Sequence, residues 1–152
     1  MIATNTSTLP MEAAVLHLRN AFLKLHEREC QQLAELLPML RLARPNVLLA
    51  GDSRQIGRTL DRMLPYLRLP MAFWVPRETP NLPATRCRTL VVKGVNELDE
   101  AQQEQLLTHV SRTAGETQFI TISTTPLLPL VSRGVFLDRL YYQLNVVLVE
   151  HD

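Results

Sequence analysis

Two cysteines, Cys30 and Cys87, are all the thiol chemistry this 152-residue chain offers. They form no C-x-x-C pair and have no metal-ligand spacing. Neither a disulfide framework nor a metal site is therefore expected, and a reduced, cytoplasmic protein is the default. No apolar run reaches the roughly 18 residues of a membrane span. Residues 1–10 lack the basic start and apolar core of a secretion signal. An excess of one charge is also missing, with 16 Lys and Arg against 15 Asp and Glu. That balance argues against a protein that holds DNA through its phosphates. Charge is uneven only locally. Arg41, Arg44, Arg54, Arg58, Arg62 and Arg68 crowd one region, while Lys93 to Glu116 is mostly acidic, and both runs read as solvated surface. The four histidines, His17, His26, His109 and His151, stand apart from one another and from any nucleophile. No catalytic set is assigned to them.

The content that remains is 46% apolar, enough for one globular core. Residues 1–10 read as a loose leader and residues 11–44 as an N-terminal helical segment. Within that segment Met11, Val15, Leu18, Phe22 and Leu25 alternate steps of four and three, an a/d seam suited to a partner helix or to the body of the domain. Leu33, Leu36, Leu37 and Leu40 continue the helical spacing, and Pro38 predicts a kink or a fresh start.

Residues 45–152 read as an α/β domain. Of five β-like runs, Asn46–Ala50, Met71–Val75, Thr89–Val92, Phe119–Ser123 and Asn145–Val149, several are continuously apolar rather than alternating. Strands covered on both faces need that pattern, so the expectation is a three-layer sandwich around a five-stranded, mostly parallel sheet. Pro76, Pro80 and Pro83 mark the link between the second and third runs as a loop without a helix. Asp99 with Gln102 and Gln103 predicts a capped helix whose inner face is Ala101, Leu106, Leu107 and Val110, with Gly115 after its end. In the last segment Leu128, Val131, Phe136, Leu140 and Tyr141 are expected inside.

The stretch Val47 to Leu60 has the layout of a phosphate-binding loop: an apolar run, a polar loop holding Gly51 and Gly57, then helical spacing from Gly57 onward. In such loops glycines let backbone N–H groups curl round phosphate oxygens while a lysine adds a point charge. Here five residues separate the glycines, and Arg58 follows where lysine is usual. Gly51, Ser53, Gly57, Arg58 and Thr59 are the candidate anion or nucleotide contacts, since a helix N-terminus attracts anions. The alternative is that the glycines serve turn geometry alone.

The segment Gly134-Val135-Phe136-Leu137-Asp138-Arg139-Leu140-Tyr141-Tyr142-Gln143-Leu144-Asn145-Val146-Val147 resembles G-x-F-R-x-D-L-Y-Y-R-L-N-V-V of the AAA+ domains in sigma-54-dependent transcription activators. Its neighbours align in order. Thr89 to Leu98 is similar to the family's T-L-F-L-D-E-I-x-E-L, Val47 to Thr59 to V-L-L-x-G-E-S-G-T-G-K-E, Pro70 to Val75 to P-F-V-A-V-N, and Gln118 to Thr125 to R-V-I-A-A-T-N-R. The resemblance spans roughly residues 30–149.

The departures fall on the positions where the family does chemistry. The acid pair that would hold Mg²⁺ is matched by Lys93 and Gly94, the sensor asparagine by Thr124, and the two arginines that reach a neighbouring subunit's nucleotide by Leu137 and Gln143. A lysine gives a hard cation no oxygen, and an arginine of that kind is worth about three to five decades of rate. The family's sigma-contacting G-A-F-T-G-A loop has no counterpart in residues 51–88, and nothing after the fifth run matches its helical lid or a DNA-reading helix pair. The resemblance thus implies a pseudo-ATPase that acts through protein contacts, with itself or with an AAA+ activator, and uses no cofactor. Nucleotide or phosphate binding without hydrolysis is the second expectation, and a self-associating scaffold the third.

Overall fold

The apolar runs become strands whose order is set by what each strand can leave uncovered. A computed structural model describes residue 31 and residues 33–151. The leader, Cys30 and the seam of Met11, Val15, Leu18, Phe22 and Leu25 lie outside the described residues. By its contacts the chain forms two units, residues 1–37 and 38–152. Of the first, residue 31 and residues 33–37 are described, and all are helical. The second begins with helical residues 38–42, where Leu40 is fully buried, and holds everything that follows.

Its strands are β1 (Val47–Ala50), β2 (Met71–Trp74), β3 (Thr89–Lys93), β4 (Gln118–Ser123) and β5 (Val147–Glu150). They form one sheet in the order β2-β3-β4-β1-β5, and every pair is parallel. β1, β4 and the first four residues of β3 are buried without a break; β1 is apolar throughout, whereas β3 and β4 also bury Thr89, Gln118, Thr121 and Ser123. The last strand sits later than expected, because Asn145 and Val146 are spent leaving the preceding helix and pairing with β1 starts only at Val147.

Side chains alternate between two faces. On one face Leu48, Leu90, Val92 and Phe119 meet α2 (Glu100–Arg112) and α4 (Asp138–Leu144) through Leu106, Val110, Leu140 and Leu144. The short α3 (Leu128–Ser132) leads into α4. The opposite face carries Val47, Leu49, Val91 and Ile120, in register across β1, β4 and β3, and α1 (Ser53–Met63) contributes buried Ile56 and Met63.

Three expectations need correcting. The helix after β1, α1, begins at Ser53 and not at Gly57: Ile56 N–H already donates to Asp52 C=O at 3.0 Å. Arg54, Gln55 and Ile56 are helix formers with no glycine among them, and helix places Ile56 in the core at 2% exposure. In α2 the inner position expected for Ala101 goes to Gln103, while Ala101 is exposed. In the last segment Leu127 is buried and Leu128 is 52% exposed, because α3 starts with its inward residue one position earlier. The cap of α2 is as expected: Asp99 accepts from Gln102 N–H at 2.8 Å, and Gln102 Oε1 accepts from Asp99 N–H at 3.0 Å. Such a cap is worth about 1 kcal/mol.

Candidate functional site

Parallel sheets place ligands beyond the carboxyl ends of their strands, and here that edge holds a cleft of about 1010 Å³. Three elements meet there. α1 lends Ser53, Ile56, Gly57 and Leu60, the end of β3 lends Val91, Lys93 and Gly94, and the end of β4 lends Ile122 and Thr124. The outer wall is Phe73 with the start of the link 75–88. The floor is thus apolar and the rim polar.

The rim is tied together by side-chain contacts. Asn96 and Thr124 bond reciprocally, Asn96 Nδ2 to Thr124 Oγ1 at 3.2 Å and Thr124 N–H to Asn96 Oδ1 at 3.3 Å. Gly94, at φ 77° where glycine is favoured, donates its N–H to Ile122 C=O at 3.0 Å. Arg77 Nε lies 3.3 Å from Glu97 Oε2 across the wall, an exposed pair of little energetic weight. Trp74, fully buried, donates from Nε1 to Thr79 C=O at 2.8 Å and so fixes the link below Arg77 and Glu78.

Five residues singled out in the sequence therefore come together in one cleft: Ser53, Gly57, Lys93, Gly94 and Thr124. Gly51, Arg58 and Thr59 do not line it. The connection from β1 to α1 is only Gly51 and Asp52. Gly51 has φ 134°, and a Cβ there would sit 2.1 Å from the carbonyl oxygen of His151. Arg58 is exposed, and Thr59 is buried with its Oγ1 2.8 Å from His151 Nε2. His151 also donates its backbone N–H to Ala50 C=O at 2.8 Å. The end of β5 thus closes over the turn where a phosphate loop would rise. Leu137 is the N-cap of α4 and Gln143 lies in its last turn, on the other face of the sheet and apart from the cleft.

Sequence reasoning missed two residues that shape this half of the molecule. His151 was read as an isolated histidine, and its contact with Thr59 joins positions 92 apart. Gln103, at 2% exposure, donates from Nε2 to Leu98 C=O and Val135 C=O, both at 3.0 Å, and accepts from Leu137 N–H at 2.8 Å. The capping pattern named Gln103, but nothing in it told a buried glutamine from a solvated one. Away from the cleft, burial and then Arg112 push the His109 imidazole below its usual range, and burial raises the Cys87 thiol. Among the described residues, no three His, Cys, Asp or Glu side chains come together as a metal site, and no helix is long and apolar enough to cross a membrane.

A sequence model of the family described as "Sigma-54 interaction domain" matches residues 76–150, from the link through β5. The chain carries an AAA+-like domain resembling those of sigma-54-dependent activators. Solved structures of similar fold agree. NtrX from Brucella abortus in complex with ADP superposes with TM-score 0.61 at 13% identity, over 80% of this chain and 36% of that one. The P-loop NTPase domain of a sigma-54 activator from E. coli gives 0.56 at 17% identity, over 79% and 94%. A Thermotoga maritima RuvB mutant gives 0.58 at 18% identity, over 83% and 45%. The chain thus spans about a third of NtrX. No curated protein matches in sequence. At these identities the structural likeness establishes the AAA+-like fold, and the site must speak for function.

Proposed function

We propose that this protein is a non-catalytic, pseudo-ATPase regulator of AAA+ type that acts in the cytoplasm through protein contacts and modulates or antagonises a sigma-54-type activator. One observation carries the reading: the turn from β1 to α1 is two residues long and lies under His151. A loop that cradles phosphates needs several backbone N–H groups converging on one point, whereas here residues 53–57 are already helix. The cleft supports the same view. Lys93 stands at its rim where the family's Mg²⁺ acid would be, and Glu97 is engaged by Arg77. The AAA+-like surface supplies the regulatory part, because it gives the chain a shape that a true activator's protomers already recognise.

Titration calorimetry of ATP with Mg²⁺ into the full chain tests the first half. No measurable heat is expected up to millimolar nucleotide, and micromolar, Mg²⁺-dependent affinity would reject it. Capture of a sigma-54 activator from the native extract on the purified chain tests the second. An activator that neither co-purifies nor changes its ATPase rate when the chain is added refutes the antagonist role.

A second reading rests on the amides of the first turn of α1, which have no intrahelical partner. Ser53 at this end of α1 shares the cleft with Lys93, so the pair could hold a phosphate without hydrolysing anything. Loss of weak phosphate affinity in Lys93→Ala would support it, and unchanged affinity would remove it.

A further inference from the structure

The sheet has two outer strands, and they are finished differently. β2 is bracketed by Pro70 and Pro76. From Asn145 to Glu150 the other edge has no proline, glycine or lysine and reads Val146-Val147-Leu148-Val149. Natural edges are usually blunted by such residues, because an unpaired strand templates another.

Val147 and His151 give their backbone N–H groups to Asn46 C=O at 3.1 Å and Ala50 C=O at 2.8 Å. In a parallel pair alternate residues turn to the same neighbour, so the backbone groups of Val146, Leu148 and Glu150 turn outward. Among the described residues β5 pairs with β1 alone. In that row the large apolar side chains are solvent-facing: Val146 is 62% exposed and Leu148 40%.

We propose that this edge is where two copies of the chain join, β5 against β5, antiparallel, about a two-fold axis through Leu148. The strand is complementary to itself in that register. Leu148 faces its own counterpart, Val146 faces Glu150 of the other copy, and the three outward residues of each copy meet as hydrogen-bonded pairs. The two Glu150 carboxylates then lie about 14 Å apart and do not oppose each other.

Charge favours a second copy over a foreign strand. Arg44 shares one hollow with Gln143 and Val146 at the amino end of the sheet, so each Glu150 arrives beside the other copy's Arg44. Neither residue takes part in an ion pair among the described residues. The inference does not depend on the ATP-site reading, since the cleft opens at the β2–β3 side of the sheet.

Light scattering of the full chain over a concentration series should show monomer passing to dimer. Arg44→Glu and Glu150→Arg should each weaken the dimer at least about fivefold, and the two together should restore it. Leu148→Lys should leave a folded monomer by circular dichroism. Cross-linking checks the register independently of affinity. In a Cys30→Ser, Cys87→Ser background under glutathione disulfide, Leu148→Cys should give a disulfide dimer and Glu150→Cys should not, because hydrogen-bonded partners lie about 5.5 Å apart, within disulfide reach. The proposal is overturned by a chain that stays monomeric at all concentrations. A dimer unchanged by Leu148→Lys, or cross-linking at 150 in preference to 148, overturns it equally.

Discussion

The two faces of the sheet are covered to different degrees. One is sealed from β1 to β3: the crossovers from β3 to β4 and from β4 to β5 lay α2 and α4 over Leu48, Leu90, Val92 and Phe119. The other has α1 over its middle, but beyond it Phe73 is 57% exposed beside the cleft. The difference lies in one link. Residues 75–88 carry Pro76, Pro80 and Pro83, fold as turns and bring no helix back across β2 and β3. The cleft is therefore a consequence of proline chemistry in a crossover, and its existence says less about a ligand than its volume suggests.

Substitutions should separate the two faces by size of effect. Leu106→Ala, at a fully buried position on the sealed face, should lower stability by about 2–5 kcal/mol in urea unfolding. A loss below about 1 kcal/mol would show that face to be loosely packed. Gly51→Ala should cost about 2–4 kcal/mol, because its φ of 134° and the His151 carbonyl leave no room for a methyl group. A neutral result would mean that the end of β5 does not rest on this turn. Thr59→Val keeps the shape and removes the hydroxyl that meets His151, so about 1 kcal/mol is expected. Phe73→Ala should stay within about 0.5 kcal/mol, and a loss approaching that of Leu106→Ala would erase the contrast between the faces.

The smallest effect is a pH term on the sealed face. His109 lies edge-on to Phe119 with ring centroids 5.7 Å apart, and burial lowers its folded-state pKa. The unfolded chain then binds the proton more readily, so stability is full above the ordinary histidine pKa of about 6.5 and declines as pH falls through it. In His109→Gln the part of the decline that sets in below about pH 6.5 should disappear from the unfolding curves.

The sheet was legible in the sequence because buried parallel strands leave a local mark: runs such as Val47–Ala50 and Leu90–Val92 are apolar on both faces. The cap at Asp99 was legible for the same reason, its partner being three residues away. The phosphate-loop stretch was not. Gly51 and Gly57 suggested one loop, yet Gly57 lies within the helix, with open space where a side chain would go. Helix formation from Ser53 was decided by the burial of Ile56, a tertiary term that glycine spacing does not carry. The meeting of Ser53, Lys93 and Thr124 followed from the family alignment, whereas the Thr59–His151 contact bridges two ends of the domain and has no local signature.

Gln103 ties three backbone positions on two segments, Leu98 before α2 and Val135 and Leu137 in the turn before α4, to a single amide. The turn before α4 then cannot open alone, because lifting it away strands a buried donor and acceptor on α2 as well. Hydrogen exchange at the Leu137 amide should accordingly be slow for a residue outside regular structure and should keep pace with the middle of α2, so that the turn and the helix open as one cooperative unit.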